Sequence, residues 1–445
     1  MTKNRLIQGI LWALIYTGLT LAPLILLLLG PRAPSREFYR EFSVALGFAG
    51  LSMAGLQFVL TARFRFLSAP YGTDILYAFH RQISILAALL ILAHPVILFI
   101  FDPPTLRLLN IFSAETPWRA RAGLAAVLAM ALVVTLSIWR KRIKIEYNGW
   151  RVWHGVLATL FVGLGMVHVI LVGYHFNTPW KQAFWIAYTI FWIGLLGYTR
   201  ILRPVWILRN PYIVESVVKE RGNSWTLHLK PQKGKVLRFK PGQFAWINTS
   251  GTPFAHRDHP FTIASSAEAR DRISFTIREL GDFTRTIKEL HPGTKIYIEG
   301  PYGIFSPDHH PHAASYVFVA GGVGITPAMS ALRTLADRGE KRPLILIYAN
   351  RDWENIIFRE EIEELKKKLN LKVIHILERP PENWQGDTGF VTAELLNREL
   401  PADRRPNATE VFICGPEPMM DAVEKALDHL RFPVGDFHSE RFDLV

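Results

Sequence analysis

HRQISILAALLILAH, residues 80–94, and HGVLATLFVGLGMVH, residues 154–168, are two apolar stretches that each begin and end with histidine. Within each stretch, the two histidines are 14 positions apart. That is close to four helical turns, so both histidines lie on one side of a helix, about 21 Å apart along its axis. A bilayer core is roughly 30 Å thick, so one histidine falls toward each membrane surface. Two such helices facing one another would offer two stacked imidazole pairs, which suits two b-type haems.

The composition combines that of a membrane protein with that of a soluble one. The 445 residues exceed the usual size of one domain, and 49% of them are hydrophobic. Nucleic-acid binding is not expected from the net charge of +13, because Lys and Arg gather beside the apolar segments, as in the cytoplasmic loops of membrane proteins. The single cysteine, Cys414, excludes an internal disulfide and any site built from several cysteines.

Six segments are long and apolar enough to span a membrane. They are residues 7–30, 43–62, about 75–101, 122–139, about 152–174 and 182–199. With the N-terminus in the cytoplasm, the basic clusters lie inside, apart from Arg32, Arg36 and Arg40 after the first span.

The third and fifth spans then both run outward, which sets His80 level with His154 and His94 level with His168. This is the arrangement of axial haem ligands, and a proton pathway built from histidines is the alternative. Three glycines of the fifth span are expected to make room for a macrocycle: Gly155, Gly163 and Gly165.

The second half predicts two soluble domains. Short β-rich runs with turn signals indicate an antiparallel barrel, and from residue 312 buried strands alternate with helical patterns, which indicates a parallel sheet. We therefore expect a multi-domain membrane protein: a six-transmembrane-helix bundle over residues 1–205, an antiparallel β-barrel over 210–308 and an α/β parallel-sheet domain over 312–445.

A glycine-rich loop, GGVGITP over residues 321–327, follows a predicted strand directly. Thr326 would cap the next helix and Pro327 would take its first position, with the helix N-terminus facing a pyrophosphate. Arg351 follows the second strand, where NAD-specific folds often carry an acidic residue. This favours NADPH, and Asp352 beside it leaves NADH open.

Two barrel motifs carry groups that suit a second dinucleotide. HPFTIASS, residues 259–266, combines an aromatic ring with hydroxyls on one strand. Arg278 precedes GDFT, residues 281–284, which could bind a pyrophosphate through charge and backbone amides.

As a set, the two histidine pairs, HPFTIASS, GDFT, EGPYG, GGVGITP and CGPEPMM resemble the ferric reductase and NADPH oxidase superfamily, of prokaryotic type. The resemblance covers the chain from the second span onward and implies FAD, two haem b groups and NADPH or NADH as electron donor. It implies the following contacts: His259, Pro260, Phe261 and Thr262 with the flavin, Arg278, Gly281, Phe283 and Thr284 with the FAD pyrophosphate, Gly321, Gly322, Gly324, Thr326, Pro327 and Arg351 with the nicotinamide dinucleotide, and Cys414, Gly415 and Pro416 near the nicotinamide.

The same resemblance assigns Phe442 and Cys414 to the catalytic site. Phe442 is similar to the aromatic residue that covers the isoalloxazine ring in this family. We do not interpret Cys414 as a nucleophile, because nothing in the sequence supplies an activating base.

The expected activity is electron transfer from cytoplasmic NAD(P)H through FAD and two haems to O2 or a ferric chelate on the opposite face of the cell (inner) membrane. A cytochrome-b-type subunit that passes electrons to a partner protein or a quinone is the alternative, although no obligatory protein partner is evident. His175 is either a residue lining an O2 pocket or an ordinary interfacial histidine, and Arg107, Arg119 and Arg121 could guide a ferric chelate. We interpret His309, His310 and His312 as a surface loop rather than a metal site.

Overall fold

The computed structural model describes residues 3–31, 33–65, 72–176, 178–255 and 257–441. The chain divides into two compact units. One is helical and consists of Ile7–Phe64 and Ile75–Pro204, and the main part of the other is Val205–Val445. The domain boundaries 1–205, 210–308 and 312–445 stay a prediction.

Six long apolar helices form the first unit. They are α1 (Lys3–Leu28), α2 (Phe38–Thr61), α3 (Gly72–Phe101), α4 (Trp118–Trp139), α5 (Tyr147–Val172) and α6 (Pro179–Gly197), and α6 continues through a π-helical turn (Tyr198–Leu202) into α7 (Arg203–Arg209). All six have the length and hydropathy of membrane spans. The predicted six spans are confirmed, and the chain is a multi-pass membrane protein.

The helices face lipid with their large apolar side chains and use small residues where they meet. Leu89 and Ile100 of α3 are 60% and 64% exposed. Lipid tails are as apolar as leucine, so helix association relies on close packing. A Cβ added to Gly50 of α2 would lie 2.6 Å from the Ile91 side chain of α3, so these helices approach closely there.

The expectation that three glycines of α5 make room for a macrocycle is wrong for Gly165, which packs against α2: a Cβ there would lie 2.8 Å from Leu51. It stays a prediction for Gly155, where an added Cβ would lie 3.1 Å from the end of the long Arg200 side chain. Gly163 alone of the three has no described atom within 4 Å of its added Cβ.

Two arginines in the loop after α1, which do not follow the expected placement of positive charge on the cytoplasmic side, have acidic partners nearby. Arg40 pairs with Asp102 at the end of α3, and Arg36 pairs with Glu41 at 2.8 Å. These carboxylates offset part of the positive charge of the loop after α1, and the orientation of the spans stays a prediction. Arg32 lies outside the described residues.

The N-terminal part of the second unit is the predicted antiparallel barrel. Its strands are β1 (Tyr212–Glu220), β2 (Ser224–Pro231), β3 (Phe244–Asn248), β4 (Asp258–Thr262), β5 (Ile273–Arg278) and β6 (Lys295–Tyr302), with the short helix α8 (Asp282–Arg285) after β5. The order is β4-β3-β6-β1-β2-β5. A bridge between Ile263 and Phe275 joins the two edges of the sheet, and fully buried side chains such as Leu227 and Ile247 fill the interior.

The C-terminal part has the predicted parallel sheet with helices on both faces. Its strands are β7 (Ser315–Gly321), β8 (Leu344–Asn350), β9 (Leu371–Leu377), β10 (Asp387–Thr388), β11 (Thr409–Cys414) and β12 (Phe437–Ser439), and its helices are α9 (Ile325–Asp337), α10 (Arg359–Lys368), α11 (Ala393–Glu399) and α12 (Glu417–His429). The order is β10-β9-β8-β7-β11-β12. All strands are parallel, but the order in which they are added reverses at β7, and ligands of such sheets bind at the carboxyl ends of the strands at this point, here β7 and β11.

The predicted start of the helix after the glycine loop is wrong by two residues. A tight turn over Gly322–Gly324 leads directly into α9, which begins at Ile325. Thr326 therefore does not cap the helix. Its hydroxyl donates to the Val323 carbonyl at 3.1 Å, and Pro327 occupies the third helical position rather than the first.

Candidate cofactor sites

The four intramembrane histidines form two pairs at two levels of the helical unit. The ring centroids of His80 on α3 and His154 on α5 lie 6.2 Å apart. Those of His94 and His168, on the same two helices, lie 6.4 Å apart. The structure therefore has the pairing by level that the topology predicts.

The Nδ1 atoms of three of these histidines are already engaged. His80 Nδ1 lies 2.9 Å from Gln57 Oε1, His154 Nδ1 lies 3.1 Å from Ser137 Oγ, and His168 Nδ1 lies 2.7 Å from the Arg119 carbonyl. Carbonyl and amide oxygens accept hydrogen bonds, so His80 and His168 carry their proton on Nδ1. Each therefore keeps Nε2 as the lone-pair nitrogen that can bind a metal.

Glycines on the neighbouring helices give the outer pair its space. A Cβ on Gly123 of α4 would lie 2.7 Å from His168 Nδ1, and one on Gly47 of α2 would lie 3.3 Å from His94 Cγ. His94 Nδ1 is buried and makes no hydrogen bond to the described part of the chain. The rings of His94 and His168 thus lie against the backbone of glycines, which cannot move aside as a side chain could.

In the α/β domain, the two glycine-containing motifs meet at the crevice between β7 and β11. A Cβ on Gly321 would lie 2.7 Å from Met419 Sδ and 2.8 Å from Pro416 Cδ, and one on Gly415 would lie 2.5 Å from Met419 Cε. Only glycine permits this approach of the two loops. The structure therefore brings GGVGITP and CGPEPMM to the site at which parallel sheets bind dinucleotides.

Cys414 ends β11 and is buried, with a side chain that does not suit nucleophilic chemistry. Burial raises the pKa of the Cys414 thiol above its usual range, and the nearby Glu440 carboxylate raises it further. The thiol therefore stays protonated. The other residue predicted for the catalytic site, Phe442, lies outside the described residues.

In the barrel, the predicted flavin residues divide between two sides of β4. His259 and Phe261 are partly exposed, whereas Pro260 and Thr262 are buried. The His259 ring stacks on Phe283 with centroids 3.9 Å apart, and Phe261 lies 5.9 Å from the same ring. Strand β4 and the GDFT turn thus share one aromatic surface, which does not include the Thr262 side chain.

One amide of the GDFT turn, that of Gly281, is already engaged, whereas those of Asp282, Phe283 and Thr284 begin the short helix α8, so the predicted pyrophosphate contact stays a prediction. The Thr284 hydroxyl accepts hydrogen bonds from the amides of Leu280 at 2.8 Å and Gly281 at 2.9 Å. The guanidinium of Arg278 remains a candidate partner for a pyrophosphate, because this side chain extends toward the glycine loop. Its Nη1 would lie 3.6 Å from a Cβ placed on Gly322.

Two arginines lie together at the carboxyl ends of β8 and β9. Arg351 is exposed, and its carbonyl accepts a hydrogen bond from the Arg379 amide at 2.7 Å. The neighbouring Asp352 caps a turn instead, accepting from the Asn355 amide at 3.0 Å and from its side chain at 2.7 Å. Sequence reasoning found Arg351 and missed Arg379, because the two meet only through the parallel pairing of their strands.

Three more polar residues near the predicted sites had no clear signal in the sequence. Gln57 and Ser137 hold histidines, yet in the sequence they are single polar residues in apolar helices. An intramembrane polar residue is itself unusual and could have pointed to them. Glu440 approaches Cys414 and Gly303, a contact that depends on how the C-terminal segment folds back.

The interpretation of all three clustered histidines as a surface loop is wrong for His310. Its side chain is 11% exposed and lies 3.1 Å from Glu410. His309 and His312 are exposed. His310 turns inward because the hydroxyl of buried Tyr316 donates to its carbonyl at 2.8 Å.

Three families of domains match the chain in an order that agrees with the fold. Residues 46–165 match the ferric reductase like transmembrane component, residues 216–306 match an FAD-binding domain, and residues 318–425 match the oxidoreductase NAD-binding domain. With six membrane-spanning helices, these matches define a multi-pass membrane oxidoreductase that carries FAD- and NAD-binding domains. The combination is that of a ferric reductase and NADPH oxidase-type fusion.

Curated relatives match part of the chain. NADH-cytochrome b5 reductase 1 of Cryptococcus neoformans is 35% identical over 165 residues, which are 35% of this chain and 55% of the relative. The reductase subunit of stachydrine N-demethylase from Rhizobium meliloti is 29% identical over 243 residues, 53% of this chain and 67% of the relative. The chain spans about half the length of the first curated relatives it matches.

Among solved structures, the cytochrome b5 reductase domain of Ulva prolifera nitrate reductase covers 52% of this chain and 96% of its own length, with 20% identity and a TM-score of 0.46.

Proposed function

We propose that the protein is a transmembrane oxidoreductase that oxidises NAD(P)H at its soluble domains and reduces an acceptor at the opposite membrane face. Bound FAD and two b-type haems are its redox groups. When bound, FAD accepts electrons in pairs and passes them on singly, as haem iron requires. The observation that carries the proposal is the pair of matched imidazole pairs in the helical unit.

The separation within each pair supports axial haem ligation. A metal–nitrogen bond of about 2 Å on each side, plus the distance from nitrogen to ring centre, gives roughly 6 Å between the centroids of two imidazoles on one metal ion. The centroid distances of 6.2 and 6.4 Å agree with this estimate. A histidine proton pathway would instead bring imidazole nitrogens within hydrogen-bond distance of each other or of a shared water.

The hydrogen bonds at Nδ1 also support ligation. Histidines that bind metals usually give their other ring nitrogen to a carbonyl, carboxylate or similar group, which fixes the tautomer and the ring orientation. His80 and His168 have such partners in Gln57 and the Arg119 carbonyl. These are the contacts expected of axial ligands that are held ready for iron.

For the soluble domains, we propose that the aromatic surface of β4 and α8 binds the flavin and that the β7–β11 crevice binds the nicotinamide dinucleotide. Arg278 extends from the barrel toward the glycine loop, so its charge can serve a pyrophosphate there. In this arrangement the uncharged thiol of Cys414 lies beside the nicotinamide. Phe442 is the residue proposed to cover the flavin ring.

The donor is NADPH under this proposal. Arg351 and Arg379 supply two positive charges where the 2′-phosphate of NADPH lies in related folds. The carboxylate of Asp352, which would suit the ribose hydroxyls of NADH, is occupied by Asn355.

We further propose that the protein lies in the cell (inner) membrane of a prokaryote, with both dinucleotide-binding domains in the cytoplasm. The basic flanks of the spans support this orientation. His94 and His168 then lie at the outer level, where the acceptor is reduced.

Two acceptors fit the outer side. Arg107 and Arg119 are exposed there and could attract an anionic ferric chelate. Oxygen needs a small polar pocket, for which His175 is available, held at 3.1 Å from Arg36 and 3.4 Å from Glu41. A cytochrome-b-type subunit that reduces a partner protein or quinone is the remaining alternative.

The purified protein separates these activities. NADPH turnover with oxygen, detected as superoxide-dismutase-sensitive cytochrome c reduction, supports the oxidase. Turnover only with a ferric chelate supports the reductase, and turnover with neither supports the subunit role. Two haems per chain by pyridine haemochrome are expected, and fewer would contradict the assignment of the histidine pairs.

His94→Ala tests the order of the redox groups. This variant should lose the outer haem and keep the inner one, while NADPH still bleaches the flavin absorbance, because the flavin domains are untouched. Loss of flavin reduction in a folded, FAD-loaded variant would contradict the proposed order.

A further inference from the structure

Three side chains that the proposed function does not use converge in the α/β domain. His310 follows the turn Pro307–His309, Glu410 lies on β11, and His438 lies on β12. One potential ligand atom from each lies within 4.8 Å of the other two.

Sheet register accounts for this convergence. Strands β11 and β12 run parallel with Phe412 paired to His438. Glu410 is two residues before Phe412 and therefore points to the same face. The Tyr316 hydroxyl holds the His310 carbonyl at 2.8 Å above that face, and the Phe412 ring packs 5.1 Å from the His438 ring.

The cluster is deeply buried, which makes its charge costly. Glu410 is 1% exposed and His438 is 4% exposed. A carboxylate removed from water needs strong partners. Glu410 Oε2 lies 2.6 Å from His438 Nε2, and Oε1 lies 3.1 Å from His310 Nδ1.

Hydrogen bonding alone leaves this cluster incomplete. His310 Nε2 is buried and has no hydrogen-bond partner among the residues that the structure describes. Leaving such a group unpaired costs about 1–3 kcal/mol. A cation bound through Nε2 would use this unpaired lone pair and would also neutralise the carboxylate.

We propose that His310, Glu410 and His438 bind a divalent transition metal ion of the Zn²⁺ or Fe²⁺ class. Two imidazoles and one carboxylate form a donor set that both ions use, with water filling the open positions. Ligand atoms about 2.0–2.1 Å from a tetrahedral ion lie about 3.4 Å from one another. On binding, atoms now up to 4.8 Å apart would draw together, and the 2.6 Å contact between Glu410 and His438 would lengthen.

Such an ion would join three separate segments of the chain. These are the loop that follows the barrel, strand β11 and the C-terminal strand β12. His438 is two residues before Glu440, which lies beside Cys414 and Gly303. The metal would therefore hold the C-terminal segment against the nicotinamide end of the crevice.

Zinc uptake by the full-length protein tests the proposal. The protein is purified in detergent without a polyhistidine tag, stripped of metal with a chelator, supplied with Zn²⁺ and desalted. Elemental mass spectrometry then measures the zinc that remains bound and distinguishes it from haem iron. Wild type should retain one zinc per chain. His310→Ala should bind zinc more than about tenfold more weakly, since loss of an outer-shell partner alone costs 10–100-fold. His312→Ala, an exposed histidine of the same loop, is the matched control and should bind as wild type does.

A second measurement needs no substitution and guards against misfolding of the variant. Zinc should raise the melting temperature of the stripped wild-type protein in detergent, because an ion that binds only the folded state stabilises that state. If the wild-type protein retains no more zinc than His310→Ala, or if zinc leaves this melting temperature unchanged, the cluster is a hydrogen-bonded triad and the proposal is wrong. Neither readout involves electron transfer, so both outcomes are independent of the proposed function.

Discussion

A methyl group added at Gly123 should displace His168 and weaken binding of the outer haem. The added Cβ would lie 2.7 Å from His168 Nδ1 and 3.1 Å from Cε1. Non-bonded carbon contacts are optimal at about 3.5–4.0 Å, so the ring must retreat by roughly 0.8 Å. Such a shift stretches the 2.7 Å contact between Nδ1 and the Arg119 carbonyl past the usual limit of about 3.2 Å.

The expected loss of haem affinity follows from the role of the contact between His168 and the Arg119 carbonyl. Loss of a group that orients a ligating histidine costs about 10–100-fold in metal affinity, or about 1.4–2.7 kcal/mol. With limiting haem, the pyridine haemochrome of Gly123→Ala should fall from two haems per chain toward one. The haem at His80 and His154 should be retained, because the four helical turns between the levels separate the two sites by about 21 Å.

Gly194→Ala on α6 is the matched control. It adds the same methyl group to a membrane helix that carries none of the four histidines, and no described atom lies within 4 Å of the new Cβ. This variant should keep two haems. The reasoning is refuted if Gly123→Ala keeps two haems with an unchanged difference spectrum, or if both variants lose haem equally.

Three further substitutions test other contacts. Ser137→Ala removes the partner of His154 Nδ1 and should shift the midpoint potential of the inner haem alone in a redox titration; equal shifts of both haems would contradict this. Arg351→Ala should lower kcat/KM for NADPH by about tenfold, since one charge-assisted hydrogen bond contributes about 1.5 kcal/mol or more. The same variant should leave kcat/KM for NADH nearly unchanged. Equal losses for the two donors would indicate a structural role for Arg351. Lys181→Met removes an ammonium group that donates to the carbonyls of Leu27 and Pro31 at 3.0 and 2.9 Å, and it should cost about 2 kcal/mol of stability or more; an unchanged melting temperature in detergent would count against this role.

Local patterns in the sequence were enough to predict the architecture of the chain. Six apolar runs predicted six spans, short β-rich runs with turn signals predicted the barrel, and strands that alternate with helical patterns predicted the parallel sheet. The level of each histidine pair followed from 14-residue spacing and chain direction. These features depend on helix and strand periods and on the cost of polar groups in lipid, all of which act on neighbouring residues.

Contacts between distant segments could not be predicted in this way. The partners of the histidines, Gln57 and Ser137, lie on helices other than α3 and α5, and helix packing alone decides which polar atom meets which ring. The start of α9 depended on a tight turn that glycine permits but does not require.

The number of membrane spans, the order of the domains and the two histidine levels could be predicted because each follows from periodicity and hydropathy. The atoms around those levels, the approach of Glu440 to Cys414 and the turn of His310 away from its exposed neighbours toward Glu410 and His438 all depend on tertiary contacts. Strand register and helix packing bring together residues whose separation in the chain carries no local signal.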